Sequence, residues 1–179
     1  PQQKRAALDV ASAAFFQLVE TAGGQAMVAA YRAFLQDAAF WLEDYVRFQA
    51  FRDAQRHLPW TQWPPGLRDC DRTACDRRAR ELSPEISRLR FRQFVFYCQW
   101  HDLRRYANER GIALFGDIPI YVHMESADVW AHQEQFQLDA NGSPVAVSGG
   151  PPDYFSAEGQ LWGNPLYDWD NHRKTGYRW

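Results

Sequence analysis

The sequence predicts an α/β fold, and three features of the chain predict it. The first third is helical, and from residue 83 a long amphipathic helix runs on until a glycine stops it. An apolar run follows at once, of the kind that forms a strand buried on both faces in a parallel sheet. Beyond it lie a β-hairpin and a long loop rich in aromatics, glycine and proline.

Each element has its own warrant. Leu8, Ala11, Phe15, Leu18 and Val19 recur at the three- and four-residue spacing of one buried helix face, and Gly23-Gly24 ends that helix. Residues 25–36 and 38–55 continue in helical register, with Leu42, Tyr45, Val46 and Phe51 as core candidates. Residues 57–67 hold Pro59, Pro64, Pro65 and Gly66, which break a regular helix. Trp60 and Trp63 there are expected to pin the stretch to the body of the protein. Ser83-Pro84-Glu85 reads as a helix start: serine to cap free N–H groups, proline where no hydrogen bond is lost, glutamate to complement the dipole. Ile86, Leu89, Phe96, Trp100 and Leu103 trace the following stripe, widened by Phe94, Val95 and Tyr97, and Gly111 supplies a left-handed stop.

The apolar run is Ile112-Ala113-Leu114-Phe115 and Ile118-Pro119-Ile120-Tyr121-Val122, interrupted by Asp117. A carboxylate inside such a strand must be paired, hydrogen-bonded or aimed at a ligand, because burying it alone is expensive. In α/β barrels the strand ends face the active site. Pro119 suits the end of regular pairing close to Asp117. Farther on, residues 136–139 and 143–147 read as a hairpin about Asn141-Gly142.

Composition excludes several classes. With 20 Lys+Arg against 22 Asp+Glu, the formal net charge of -2 gives no electrostatic case for a nucleic-acid or anionic-membrane partner. No apolar run approaches a membrane span, and no signal peptide opens the chain, so a soluble protein is expected. Cys70, Cys75 and Cys98 form neither a CxxC nor an even disulfide set, and read as reduced thiols suited to the cytoplasm. The commonest hydrolase, zinc and nucleotide signatures are missing, and His101, His123, His132 and His172 lack ligand spacing, so no metal or cofactor is implied. The chain opens on Pro-Gln-Gln-Lys and stops at Tyr-Arg-Trp, with the expectation of a piece of something longer.

Aromatics make up 16% of the 179 residues, and 8 are Trp, more than a core of this size needs. The informative cluster is Pro151-Pro152-Asp153-Tyr154-Phe155-Ser156, then Gly159-Gln160-Leu161-Trp162-Gly163-Asn164. A sugar ring has an apolar C–H face and a fringe of hydroxyls; flat aromatics match the first, amides and carboxylates the second. The same rings could equally anchor a long loop by burial, and the residues alone leave both readings open. A single-stranded nucleic-acid platform would need a basic groove, which Asp153 and Glu158 oppose.

Several segments together resemble a known family. They are Phe115-Gly116-Asp117-Ile118-Pro119-Ile120-Tyr121-Val122, Ser126-Ala127-Asp128-Val129-Trp130, Pro151 to Ser156 and Gly159 through Tyr167. Phe40-Trp41-Leu42-Glu43-Asp44-Tyr45, Trp60 to Pro64 and Gln99-Trp100 through Gly111 join them upstream. In this order they resemble the amylomaltases, bacterial 4-α-glucanotransferases or disproportionating enzymes of glycoside hydrolase family 77.

The resemblance implies a slice of a (β/α)8 TIM barrel with helical insertions, acting on maltooligosaccharides and α-1,4-glucans. It implies one catalytic barrel across 1–179: helices over 1–56, a Pro/Trp-rich connection over 57–82, barrel helix and strand over 83–122, hairpin and substrate loop over 123–179. Such an enzyme moves a glucan segment to the 4-hydroxyl of an acceptor by a retaining double displacement, with two carboxyl groups about 5–5.5 Å apart. Carried over residue by residue, Asp117 matches the strand-end aspartate that binds the sugar at the cleavage site. Tyr154 and Phe155 match the tip of a mobile loop on the acceptor side. Gln160, Trp162 and Asn164 fall beside it, with Trp162 the sugar-stacking candidate; Asp153 leans to a structural role.

The family's nucleophile, acid/base and third carboxylate sit in Arg-x-Asp-His-like, Glu-Asp-Leu-Gly-like and Thr-His-Asp-like motifs, none of which occurs here. In the family's order all three belong downstream of Trp179, so no catalytic residue is expected in this chain. His123-Met124-Glu125 stands where the family reads Ala-His-Asp or Ala-Glu-Asp, and Gly150 stands where valine is usual, which should loosen the start of the loop. A non-catalytic glucan-binding module and an α-amylase-type hydrolase are the alternatives.

Overall fold

A computed structural model describes residues 2–18 and 24–179; Val19 and Gly23, placed above at the end of the first helix, lie outside them. The helices are α1 (Gln2–Leu18), α2 (Gln25–Asp37), α3 (Ala39–Ala54), α4 (Pro65–Arg68), α5 (Arg72–Glu81), α6 (Ser83–Asn108), α7 (Ala127–Ala131) and α8 (Trp169–Lys174). The strands are β1 (Val147–Gly150) and β2 (Gln160–Pro165). The chain divides into two compact units, Pro1–Ala50 with Ala79–Asp117 and Phe51–Arg78 with Ile118–Trp179.

The first unit is an aromatic helical core. Phe15 of α1 meets Phe91 of α6 at 5.0 Å, and Tyr31 and Phe34 of α2 meet Phe94 at 5.3 and 5.8 Å. Leu42, Val46, Phe48 and Ala50 of α3 are buried. Charged pairs hold the rim: Arg92 donates to Asp9 at 2.5 Å, Arg90 to Glu43 at 2.5 Å, and Arg88 to Glu85. The buried face of α1 runs through Ser12 and Phe15, not through Ala11 and Leu18, which are exposed. Of the expected stripe only Phe15 is buried among the described residues, and Leu8 is half-buried.

Two features of α6 depart from the sequence reading. Ser83 does not cap it; Leu82 does, without a side-chain bond, because α5 runs to Glu81 and leaves only one residue between helices. Ile86, Leu89, Phe91 and Phe94 are buried, whereas Phe96, Trp100 and Leu103 are 63%, 44% and 55% exposed. The ring contacts from α1 and α2 fall on Phe91, Phe94 and Tyr97, so only the first half of the expected stripe is covered. Gly111 does adopt a left-handed φ of 71° after the helix.

The apolar run beyond Gly111 forms no strand, and residues 112–120 are all exposed. A parallel strand has no hydrogen bonds of its own and exists only beside a partner. Among the described residues the sheet is a two-stranded antiparallel pair, which supplies none.

The second unit is built on tryptophan. Trp60, Trp63 and Trp130 are buried, and each indole N–H finds a carbonyl: Met124 at 2.9 Å, Leu58 at 3.0 Å and Leu67 at 2.8 Å. Burying an indole is stable only when its N–H is satisfied. Phe51, at the end of α3, packs edge-on to Trp63 and Trp130. The stretch expected to be a Pro/Trp-rich connection, 57–82, holds α4 and all of α5; Pro65 opens α4, where its missing N–H costs nothing.

The hairpin expected at 136–147 shrinks to one bridge, Leu138 to Pro144, since Pro144 has no N–H to extend a ladder. Its turn survives: Gly142 N–H donates to Asp139 C=O at 3.0 Å, and the Asp139 side chain accepts from Asn141 and Ser143. The ladder lies instead between β1 and β2, antiparallel, with Gly149 opposite Leu161 and Gly150 opposite Gln160. None of the helices is long and apolar enough to cross a membrane among the described residues. Burial, with Asp102 adding to it, pushes the Cys98 thiol up, which favours its protonated form.

Candidate functional site

β1 and β2 form the neck of a long loop, residues 151–159. Asp153 shapes it: its Oδ1 accepts from Phe155 N–H at 2.9 Å and Ser156 N–H at 2.8 Å. Ser156 donates from its hydroxyl to Gly159 C=O at 2.6 Å and accepts at its own carbonyl from Asp153 and Gly159. Asp153 is thus spent on backbone, the structural role leaned to above. This local closure leaves the tip free. Tyr154 and Phe155 stand 97% and 89% exposed, edge to face at 5.5 Å, so neither ring anchors the loop by burial.

Trp162 lies at the neck on β2. Its indole N–H donates to Gln160 Oε1 at 3.0 Å, and its ring meets Tyr121 at 6.2 Å. Tyr121 in turn lies nearly parallel to Tyr167, 14° and 5.8 Å apart. The Tyr167 hydroxyl donates to Ile120 C=O at 3.0 Å. Phe136, Trp169 and Trp179 surround Tyr167 at 5.3 to 5.7 Å. A continuous row of rings therefore leads from the half-exposed Trp162 into the body of the second unit. Burial pushes the Tyr167 phenol up, with Tyr121 and Asp128 adding to it, so it stays a neutral donor.

Five of the six expected site residues, Tyr154, Phe155, Gln160, Trp162 and Asn164, fall on one loop and strand; Asn164 is half-buried within β2. Asp117 is exposed and ends the first unit. Glu125, which stands where the family has aspartate, accepts from Trp60 N–H at 3.3 Å and so ties its own turn to the tryptophan core. The sequence reading did not find Tyr121 and Tyr167 as supports of Trp162. Tyr121 sat inside a run read as strand, and Tyr167 lies 46 residues away, so no local spacing links them.

Among the described residues no group of three His, Cys, Asp or Glu could hold a metal ion. The loop and β2 carry aromatic rings, the amides of Gln160 and Asn164 and the Tyr154 hydroxyl.

A family model described as 4-alpha-glucanotransferase matches residues 2–179. The 4-alpha-glucanotransferase of Aquifex aeolicus is 44% identical over 146 residues, 82% of this chain and 30% of that protein. That of Thermus thermophilus is 45% identical over 148 residues, 83% of this chain and 30% of that protein. A chloroplastic/amyloplastic 4-alpha-glucanotransferase of Solanum tuberosum is 43% identical over 139 residues, 78% of this chain and 24% of that protein. In structure the chain is similar to an amylomaltase from Streptococcus agalactiae in complex with acarbose, at a TM-score of 0.87 and 34% identity, covering 99% of this chain and 35% of that one. The chain spans about a quarter to a third of the length of these relatives.

Proposed function

Because the chain belongs to the 4-alpha-glucanotransferase family, we propose that it is the sugar-gripping part of such an enzyme, which moves a segment of an α-1,4-glucan to the 4-hydroxyl of an acceptor. The observation that carries this reading is the pair Tyr154 and Phe155, presented almost fully exposed on a loop that closes through its own backbone. Large apolar rings held in water by a built scaffold mark a binding surface.

In this reading Trp162 stacks on the C–H face of a glucose unit, and Asn164 and Gln160 meet its hydroxyls. Gln160 also fixes the indole edge. Tyr154 and Phe155 close over the acceptor, and Asp117 binds the sugar at the cleavage point. That a similar amylomaltase holds acarbose supports an oligosaccharide as the ligand.

The chemistry is a retaining double displacement. A carboxylate forms a covalent glycosyl intermediate, a carboxylic acid protonates the leaving oxygen, and the same residue later deprotonates the acceptor hydroxyl. The family motifs for both groups are absent from these residues, so the chain supplies binding and water exclusion while the catalytic pair lies outside it. Excluding water matters because an acceptor hydroxyl must outcompete it for the intermediate. Residues 83–122 would then be a barrel helix and its strand, the strand forming beside barrel neighbours. Three cysteines, an odd number without a CxxC pair, support a reducing compartment such as the cytoplasm.

The test is to incubate this chain, and in parallel the complete protein, with maltotriose and to separate the products. Glucose with a ladder of longer oligosaccharides from the complete protein alone supports the proposal. Shorter sugars without a ladder would make it a hydrolase, and a ladder from the 179 residues alone would put the catalytic pair inside them.

A further inference from the structure

The turn at Asn141-Gly142 is the one place in the 179 residues where asparagine precedes glycine; Asn108, Asn164 and Asn171 precede Glu109, Pro165 and His172. That pairing is chemically labile. Glycine has no side chain to hinder its amide nitrogen, which can attack the side-chain carbonyl of the asparagine before it. A new N–Cγ bond closes a succinimide ring, and the Cγ–Nδ2 bond breaks to release ammonia, which takes up the proton lost from the glycine nitrogen. Water then opens the ring at one carbonyl to give aspartate, or at the other to give isoaspartate.

The native turn opposes the first step. The Gly142 N–H is already spent on the Asp139 carbonyl, at 3.0 Å. Asp139 Oδ1 accepts from the Asn141 N–H at 2.8 Å and from the Ser143 N–H at 2.9 Å, so the backbone is held on both sides of the reacting peptide. The Ser143 carbonyl accepts from the Asp139 N–H at 2.8 Å and closes the ring of bonds. A carboxylate in the same turn also disfavours loss of a proton from the Gly142 nitrogen, since the anion formed would face a like charge. Gly142 itself is buried against Trp60, with Cη2 only 2.7 Å from where a Cβ would stand, while Asn141 is exposed to water.

We propose that Asn141 is a spontaneous modification site that the folded turn suppresses, with Asp139 as its guard: deamidation and isoaspartate formation proceed only from the opened turn. A reaction of that kind runs in proportion to how often the open state forms. The isoaspartate product does not fit back into the same turn. It routes the main chain through the former side chain and adds one carbon between Asp139 and Gly142, where the bonds to Asp139 and the packing on Trp60 fix the spacing. Each event therefore costs the second unit a turn that packs on its tryptophan core, and refolding does not restore it.

The experiment holds the complete protein in warm, mildly alkaline buffer and follows Asn141 by peptide mapping in a mass spectrometer. Labelling with an isoaspartyl methyltransferase separates the two products, and the same protein in concentrated urea gives the rate of the open chain. Conversion in the native protein should be slower than in urea by about tenfold or more. Asp139→Ala should speed native conversion about tenfold, the worth of two exposed hydrogen bonds. Asp139→Asn keeps an oxygen acceptor and should fall between Asp139→Ala and the wild type. The isoaspartate fraction should melt below the unmodified protein. Native conversion as fast as in urea would overturn the proposal, and so would a folded Asp139→Ala protein that converts at the wild-type rate. Should Asp139→Ala not fold, hydrogen exchange in the wild type decides: a protected Gly142 amide supports the closed turn, and one that exchanges at the open-chain rate refutes it.

Discussion

Tyr167 lies nearly parallel to Tyr121, 5.8 Å away, while its hydroxyl reaches the carbonyl of the residue just before Tyr121, Ile120, at 3.0 Å. Ring and hydroxyl thus hold the same short segment at two points, and that segment carries the ring against which Trp162 leans. Replacing Tyr167 by phenylalanine removes one point and keeps the other. The hydrogen bond is solvent-exposed, so Tyr167→Phe should cost roughly 0.5–1 kcal/mol in chemical denaturation. Tyr167→Ala removes the ring as well and should cost about 3 kcal/mol or more. Equal losses in the two variants would mean that the ring contributes nothing.

The loop tip should behave in the opposite way. Tyr154 and Phe155 touch little beyond each other, so Tyr154→Ala and Phe155→Ala should shift stability by less than about 0.5 kcal/mol. In the complete enzyme the same variants should lower the ratio of transfer to hydrolysis, read from oligosaccharide and glucose yields on maltotriose. A ratio unchanged in both would remove the loop from the reaction.

These two cases show what the sequence could and could not convey. The loop's aromatics were legible because proline, glycine and an aspartate that bonds its own loop act over a few residues. Helices α1 to α3 and α6 were legible from local spacing, down to the left-handed turn at Gly111, whereas α4, α5, α7 and α8 were not. Burial on α6 was only half legible: periodicity marks an apolar stripe at Phe96, Trp100 and Leu103 but not whether anything covers it. The run 112–122 has strand composition and no strand, because pairing depends on a neighbour distant in sequence. Tyr121 and Tyr167 as supports of Trp162 were illegible for that reason too.

Gly142 joins two constraints at one position. Its φ is +78°, and a Cβ there would sit 2.7 Å from Cη2 and 2.9 Å from Cζ3 of the fully buried Trp60. Trp60 cannot retreat easily, since its indole N–H and backbone N–H are held by Met124 and Glu125. Gly142→Ala should therefore destabilise the protein by about 1–3 kcal/mol from overpacking, with backbone strain added. Thermal melting of the variant checks it; a melting temperature within a degree of the wild type would contradict the packing described.

Asp9 gives a pH-dependent contribution whose sign is fixed. The hydrogen bond from Arg92 holds its carboxyl below the usual carboxylate range, against a smaller opposing effect of burial. A depressed folded-state pKa stabilises the protein above the unfolded value, about pH 4, and the contribution is lost as pH falls through the folded value. Asp9 is 41% exposed, so screening keeps the effect small. Asp9→Asn should lower the melting temperature at pH 7, and the gap to wild type should close below about pH 4. A gap that persists unchanged into acid would show that the pair is not what ties α1 to α6.

The apolar run 112–120 finds no strand partner among the described residues. Phe115, Ile118 and Ile120 are 103%, 86% and 76% exposed. Large apolar side chains exposed close together along one short run drive self-association and bind hydrophobic dyes. The 179-residue chain should therefore bind anilinonaphthalene sulfonate and show a concentration-dependent mass in light scattering. Changing Phe115 and Ile118 to serine should reduce both signals and leave the thermal transition in place, because these side chains bury almost nothing and their loss removes no packing. A wild-type chain that stays monodisperse and dye-silent at high concentration would mean that the run is covered in solution.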